Sequence, residues 1–108
     1  MAETFDMRRL REAVRAGSIE WQRHALERMA EREIPQAAVR AAILRGERVE
    51  EYLEAYPLPA ALFLGSFGGR PLHVVAAVDV AIPRVYVITA YEPTLDHFEP
   101  DFRTRRRR

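Results

Sequence analysis

The apolar positions change rhythm near the middle of the chain. Up to Gly46 they recur every three or four residues, the period of helices with one buried face; beyond it they alternate or run together, as strands do. Met7, Leu10 and Val14 predict a helix from about Thr4 to Arg15, stopped by Gly17. Ser18-Ile19-Glu20-Trp21 reads as a short extended piece. Ala25, Leu26, Met29 and Ala30 form the stripe of a second helix, about Gln22 to Glu33. Ile34-Pro35 then breaks the chain. Pro35 suits the first turn of a third helix, Gln36 to Arg45, which buries Val39, Ala42 and Ile43 and ends at Gly46.

The second half predicts strands. Arg48 to Leu53 is a first strand, half exposed by its glutamates, and Tyr56-Pro57-Leu58-Pro59 is a loop because proline supplies no ladder donor. Ala60 to Phe67 and Pro71 to Asp79 flank Gly68-Gly69, a hairpin signal, since glycine accepts positive φ. A turn over Asp79 to Pro83 leads to a last strand, Arg84 to Tyr91. The runs LHVVAAV and VYVIT are apolar on both faces, as in central strands covered on both sides. Pro93 ends the sheet, and Thr94 to Phe102 reads as a short helical turn. The fold class expected is α+β: N-terminal helices packed on a four-stranded antiparallel sheet.

Composition narrows this further. The 108 residues suit one domain, and 48% apolar content is enough for one core. Without cysteine there is no disulfide framework, thiol nucleophile or thiolate metal site. The charged start, MAETFDMRRLREAVRAG, lacks the apolar stretch of a secretory signal, and no apolar run approaches the roughly 20 residues of a membrane span. A cytoplasmic location without membrane contact is therefore expected. All 17 basic residues are arginine, and lysine and asparagine are both absent, a bias that a GC-rich genome accounts for. The formal charge of +1 conceals a division: residues 1–102 hold 12 arginines against 16 carboxylates, while 103–108 add five arginines. The expected organisation is a domain over 1–102 and a basic tail over 103–108. Such a tail is either a solvated end or a salt-sensitive grip on an anionic partner.

Three groups of residues could carry chemistry. His24, Arg28 and Arg32 recur every fourth residue on the second helix; they form either a phosphate-binding ridge or a solvated face paired with Glu27, Glu31 and Glu33. Arg70 and His73 open the third strand. A histidine in so apolar a strand is either a core residue bonded to a carbonyl or a tyrosine, or an acid–base group held rigid by the sheet. Tyr91 ends the last strand, as packing with a wet tip or as a proton donor. His24, His73, His97 and Asp96 lie in separate segments without ligand spacing, and Gly65 to Gly69 lacks the lysine of a phosphate loop. Neither a metal nor an organic cofactor is expected.

Taken in order, these strings resemble one family. Ile19, then Arg23-His24-Ala25-x-x-Arg28-Met29-x-Glu31-Arg32-x-Ile34, Gly46-Glu47-x-Val49-Glu50-x-Tyr52, Gly69-Arg70-Pro71-Leu72-His73-Val74-Val75 and Ile88-Thr89-Ala90-Tyr91-Glu92-Pro93 resemble the DUF4258 family over about residues 18–104. Arg23 replaces a usual serine and Glu33 a usual glycine. The family is similar to the RelE/ParE-like toxins, small α+β proteins whose sheet cradles RNA in the ribonucleases, often encoded beside a small zinc-finger antitoxin. The resemblance implies a toxin that cleaves mRNA, free or on the ribosome, without a metal. His24, His73 and Tyr91 would be catalytic, Arg28, Arg32 and Arg70 would bind substrate, and the groups would surround one pocket. The alternative is a non-catalytic binding module of the same fold, such as a ParE-like topoisomerase inhibitor.

Overall fold

A computed structural model describes residues 5–106 of the protein. Three helices, α1 (Met7–Arg15), α2 (Arg23–Arg32) and α3 (Gln36–Arg45), precede most of a five-stranded sheet. The strands are β1 (Ile19–Trp21), β2 (Glu47–Tyr52), β3 (Ala60–Phe67), β4 (Arg70–Asp79) and β5 (Arg84–Tyr91), in the spatial order β1-β5-β4-β3-β2. The α+β class is as expected, but the sheet is mixed and has one strand more. The extended piece after α1 adds to β5 in parallel, Ile19 opposite Val85 and Trp21 opposite Val87. Three residues carry too little periodicity to declare a strand; pairing with β5 decides it.

Local chemistry sets the connections. Asp6 caps α1, its carboxylate accepting from the Arg9 N–H at 3.0 Å. At the C-terminus of α2, Glu33 sits at φ 56°, and the Ile34 N–H donates to the Met29 carbonyl. This left-handed cap explains why glycine suits the position, and a side chain there costs on the order of 1 kcal/mol. Gly68 and Gly69, both at positive φ, close the β3–β4 hairpin. Thr94 to Phe102 forms turns and bends, not a helix, and continues into a bridge between Phe98 and Arg105.

All three helices lie on one sheet face. Phe63, Leu72, Val74, Ala76, Val78, Val85, Val87 and Ala90 meet Leu10, Val14, Ala25, Met29, Val39 and Ile43 there in one buried core. Gly65 lets α3 approach: a Cβ on it would stand 2.6 Å from the Ala42 Cβ. Residues alternate across a strand, so the register assigns the opposite, helix-free face to three rungs. They are Glu47-Leu64-His73-Tyr91, Glu50-Leu62-Val75-Thr89 and Tyr52-Ala60-Ala77-Tyr86. A bulge makes Ile88 an extra residue in β5. The C-terminal segment folds over the first two rungs; the third stays open.

Candidate functional site

His73 is 0% exposed, the one fully buried polar side chain among the described residues. The sheet pairs it with Tyr91, and the C-terminal segment covers it. The Phe98 ring stands edge-on to the imidazole at 4.6 Å, and the Phe102 carbonyl lies 2.7 Å from Nε2. A carbonyl only accepts, so Nε2 carries the proton. Nδ1 is left to accept from the Tyr91 hydroxyl at 3.3 Å. Burial lowers the His73 pKa from its ordinary 6.5, outweighing the bond to Phe102, with Arg105 adding to the depression. Burial likewise raises the Tyr91 pKa above 10.0. Both groups are neutral near pH 7.

The covering turn is shaped locally. The Asp101 carboxylate accepts from the Arg103 and Thr104 N–H groups and from the Thr104 hydroxyl. Phe102 adopts φ 57°, which aims its carbonyl at His73. Arg105 then reaches Glu50 with two nitrogens, Nε at 2.7 Å and Nη2 at 3.0 Å, while its guanidinium lies 4.9 Å from the Phe98 ring centre. Tyr52 donates to the same carboxylate. Burial by itself would raise the Glu50 pKa, but the bonds from Arg105 and Tyr52 overcome it and hold the carboxyl below 4.5. Burial and the bond to Glu50 push Tyr52 up to about 12.

A depression of about 330 Å³ opens beside this cluster, lined by Tyr91, Glu92, Thr94, His97, Phe98 and Arg105. Tyr91 thus touches the sealed imidazole on one side and the depression on the other. Glu92 also lines a smaller neighbouring notch with Arg32 and Arg70. There Arg70 pairs with Glu92 at 3.2 Å and stacks on Phe67 at 4.9 Å. Four expected site residues thus lie at one end of the sheet, His73 and Tyr91 on its helix-free face and Arg70 and Arg32 at the notch on its helix side.

The other two do not join them. His24 and Arg28 face an exposed groove on α2 with Glu27 and Glu31. His24 also borders a large cavity at the opposite end of the helix-free face. The single pocket expected for both histidines is not formed, because the first turn of α2 lies beside the bulged part of β5 and not beside the His73 rung.

Glu50, Tyr52, His97 and Arg105 are members of the cluster that the strand and helix patterns did not single out as a site. Strand alternation would have put Glu50 and Tyr52 on one face. Only the fold-back of the chain brings Arg105 and His97 to it. The basic segment is thus partly built into the structure: Arg103 pairs with Glu47 at 2.8 Å, and the Arg106 N–H donates to the His97 carbonyl. Arg107 and Arg108 lie outside the described residues.

Among the described residues, no three His, Asp or Glu side chains group as metal ligands, and no helix is long and apolar enough to cross a membrane. No curated protein and no solved structure matches the chain significantly. A family model, Domain of unknown function (DUF4258), matches residues 21–92, from the end of β1 through β5, and the chain belongs to that family.

Proposed function

We propose that the protein is a toxin-type endoribonuclease related to the RelE/ParE-like toxins, cutting mRNA at the depression beside Tyr91. The observation that carries this reading is the Tyr91 hydroxyl, which links a neutral buried imidazole to a surface hollow rimmed by guanidinium. The substrate's 2′-hydroxyl passes its proton to the Tyr91 oxygen as that hydroxyl passes its own to His73 Nδ1. The 2′-oxygen attacks the adjacent phosphorus, and Arg105, which lines the depression, stabilises the added negative charge. The bond from phosphorus to the 5′-oxygen breaks, and the leaving oxygen is protonated from solvent at the open depression, into which His73 later returns its proton through Tyr91. The products are a 2′,3′-cyclic phosphate and a 5′-hydroxyl. A small zinc-finger antitoxin would hold the protein inactive in the cell.

Incubating purified protein with a defined mRNA in EDTA tests this scheme. We expect cyclic-phosphate ends, with Tyr91→Phe slowing cleavage at least roughly a hundredfold. Intact RNA, 5′-phosphate products or a fully active Tyr91→Phe variant would overturn it.

One observation favours a second reading. Both His73 nitrogens are satisfied within the protein and the ring is sealed, as in a histidine that only braces the C-terminal segment. The protein would then be a binding module, of the ParE-like kind that inhibits a topoisomerase. Blocked supercoiling alongside intact message would select this reading.

A further inference from the structure

The open end of the helix-free face holds a cavity of about 670 Å³ that the mechanism above does not use. Its size falls within the range of small-molecule sites. Its lining is mostly apolar, with Ala77, Leu58 and Ile88 alongside Tyr86 and Tyr56. Tyr56 is 95% exposed and Ile88 38% exposed, so neither is packed into the core. Three polar side chains, Gln22, His24 and Asp79, also line it.

We propose that this cavity binds a nucleobase, guanine in preference to the others, from the RNA strand whose backbone reaches Tyr91. The inference rests on the ribonuclease reading for the identity of the strand, and on the cavity's own chemistry for the base. An aliphatic occupant would use the tyrosines and Ile88 but make no bond to Gln22, His24 or Asp79. A planar heteroaromatic ring uses both sets, stacking on tyrosine while its edge bonds to the polar groups.

The choice of guanine comes from Asp79. One carboxylate oxygen accepts the Ala81 N–H at 3.0 Å; the other makes no hydrogen bond within the described residues. A carboxylate only accepts. Guanine presents a ring N–H next to an amino group, two adjacent donors. Adenine, cytosine and uracil each set an acceptor beside their donor. The Gln22 amide supplies donors for the guanine carbonyl.

Position supports the same assignment. Ala77 lies four residues along β4 from His73 on the same face, about 13 Å at strand spacing. Arg84 faces Asp79 in the register, and among the described residues its side chain makes one exposed pair, with Glu20 at 3.4 Å, weak enough for the guanidinium to take a phosphate. A short single-stranded stretch can therefore seat a base at the open end while its backbone crosses to the depression.

Titration of the full chain with guanosine, adenosine, cytidine and uridine 5′-monophosphates, followed by amide NMR shifts, tests the proposal directly. We expect guanosine monophosphate to bind at least tenfold more tightly than the rest and to move the signals of Gln22, Asp79 and Ile88. Asp79→Asn keeps an oxygen for the Ala81 N–H, so the turn survives, and it should erase the tenfold preference. Tyr86→Ala should weaken all four nucleotides. Equal affinities in the wild type, or a preference unchanged in Asp79→Asn, would overturn guanine selection. No binding of any nucleotide would overturn the site, as would dimerisation abolished by Ile88→Arg, which would assign the cavity to a second copy. Cleavage that ignores guanine refutes the cavity assignment alone; guanosine monophosphate binding by a chain that never cuts RNA refutes the nuclease alone.

Discussion

The helix-free face is built from the same four strands at both ends, yet the ends bury their side chains in opposite ways. At the His73 end, polar groups are bonded within the protein: the buried imidazole is covered by Phe98 and the Phe102 carbonyl, and the half-buried Glu50 is gripped by Arg105 and Tyr52. At the Ala77 end the cavity lining is mostly apolar, with Tyr86 half-buried and Tyr56 and Ile88 exposed. Buried polar groups demand partners, and the C-terminal segment supplies them. Apolar surface makes no such demand and can wait for a ligand. The closed end is therefore a place where structure and chemistry compete for the same groups, whereas the open end is spared that conflict.

Deleting the cover should show the largest effect. Phe98 is 2% exposed, and Phe98→Ala should cost about 3 kcal/mol by cavity formation. Hydrogen exchange should find protection lost over residues 94–106 and retained in β3 and β4. Equal loss throughout would mean that the two ends are not separable.

Acid should weaken the closed end next. The folded-state pKa of His73 is depressed, so below 6.5 the unfolded chain takes up a proton that the native imidazole refuses. Stability is greatest above pH 6.5 and falls from there down to the native pKa. Glu50, held below 4.5, extends the fall at lower pH, where its native carboxylate must be protonated. Thermal melts should show the first limb in the wild type and not in His73→Gln; an identical profile in that variant would reassign the acid sensitivity.

Arg105→Ala removes a partly exposed pair and should cost about 1 kcal/mol or less, shrinking further as added salt screens the pair in the wild type. A loss unaffected by salt would point to the contact with Phe98 instead. The smallest effect belongs to the open end. Ile88→Ser should change stability by less than about 0.5 kcal/mol in chemical denaturation, because the side chain is already at the surface. A larger loss would show that this end, too, is structural.

Much of this was legible from pattern. The ranges of α3, β3 and β5 agree with their periodicity to the residue, and the glycine pair marks its hairpin. β1 was not, since three residues become a strand only by pairing with β5. The site divided along the same line. His73, Tyr91, Arg70 and Arg32 stood out by residue type and segment, and they end at the same end of the sheet, the first two on its helix-free face and the arginines on the other. His24 carried the same chemical signal, but helix periodicity gives only a direction around α2, not which end of the sheet that direction meets. Arg105 read as part of a basic tail because nothing local ties it to Glu50, 55 residues earlier.

The sequence by itself determined the helical first half, the strand-rich second half, the central hairpin and the absence of thiol chemistry, because each follows from local spacing or composition. Tertiary structure alone decided that the sheet is mixed, that the two histidines part company and that His73 is neutral under a folded-back segment. Those outcomes depend on contacts between residues distant along the chain. Burial, which sets the proton affinity of an imidazole, exists only once such contacts have formed.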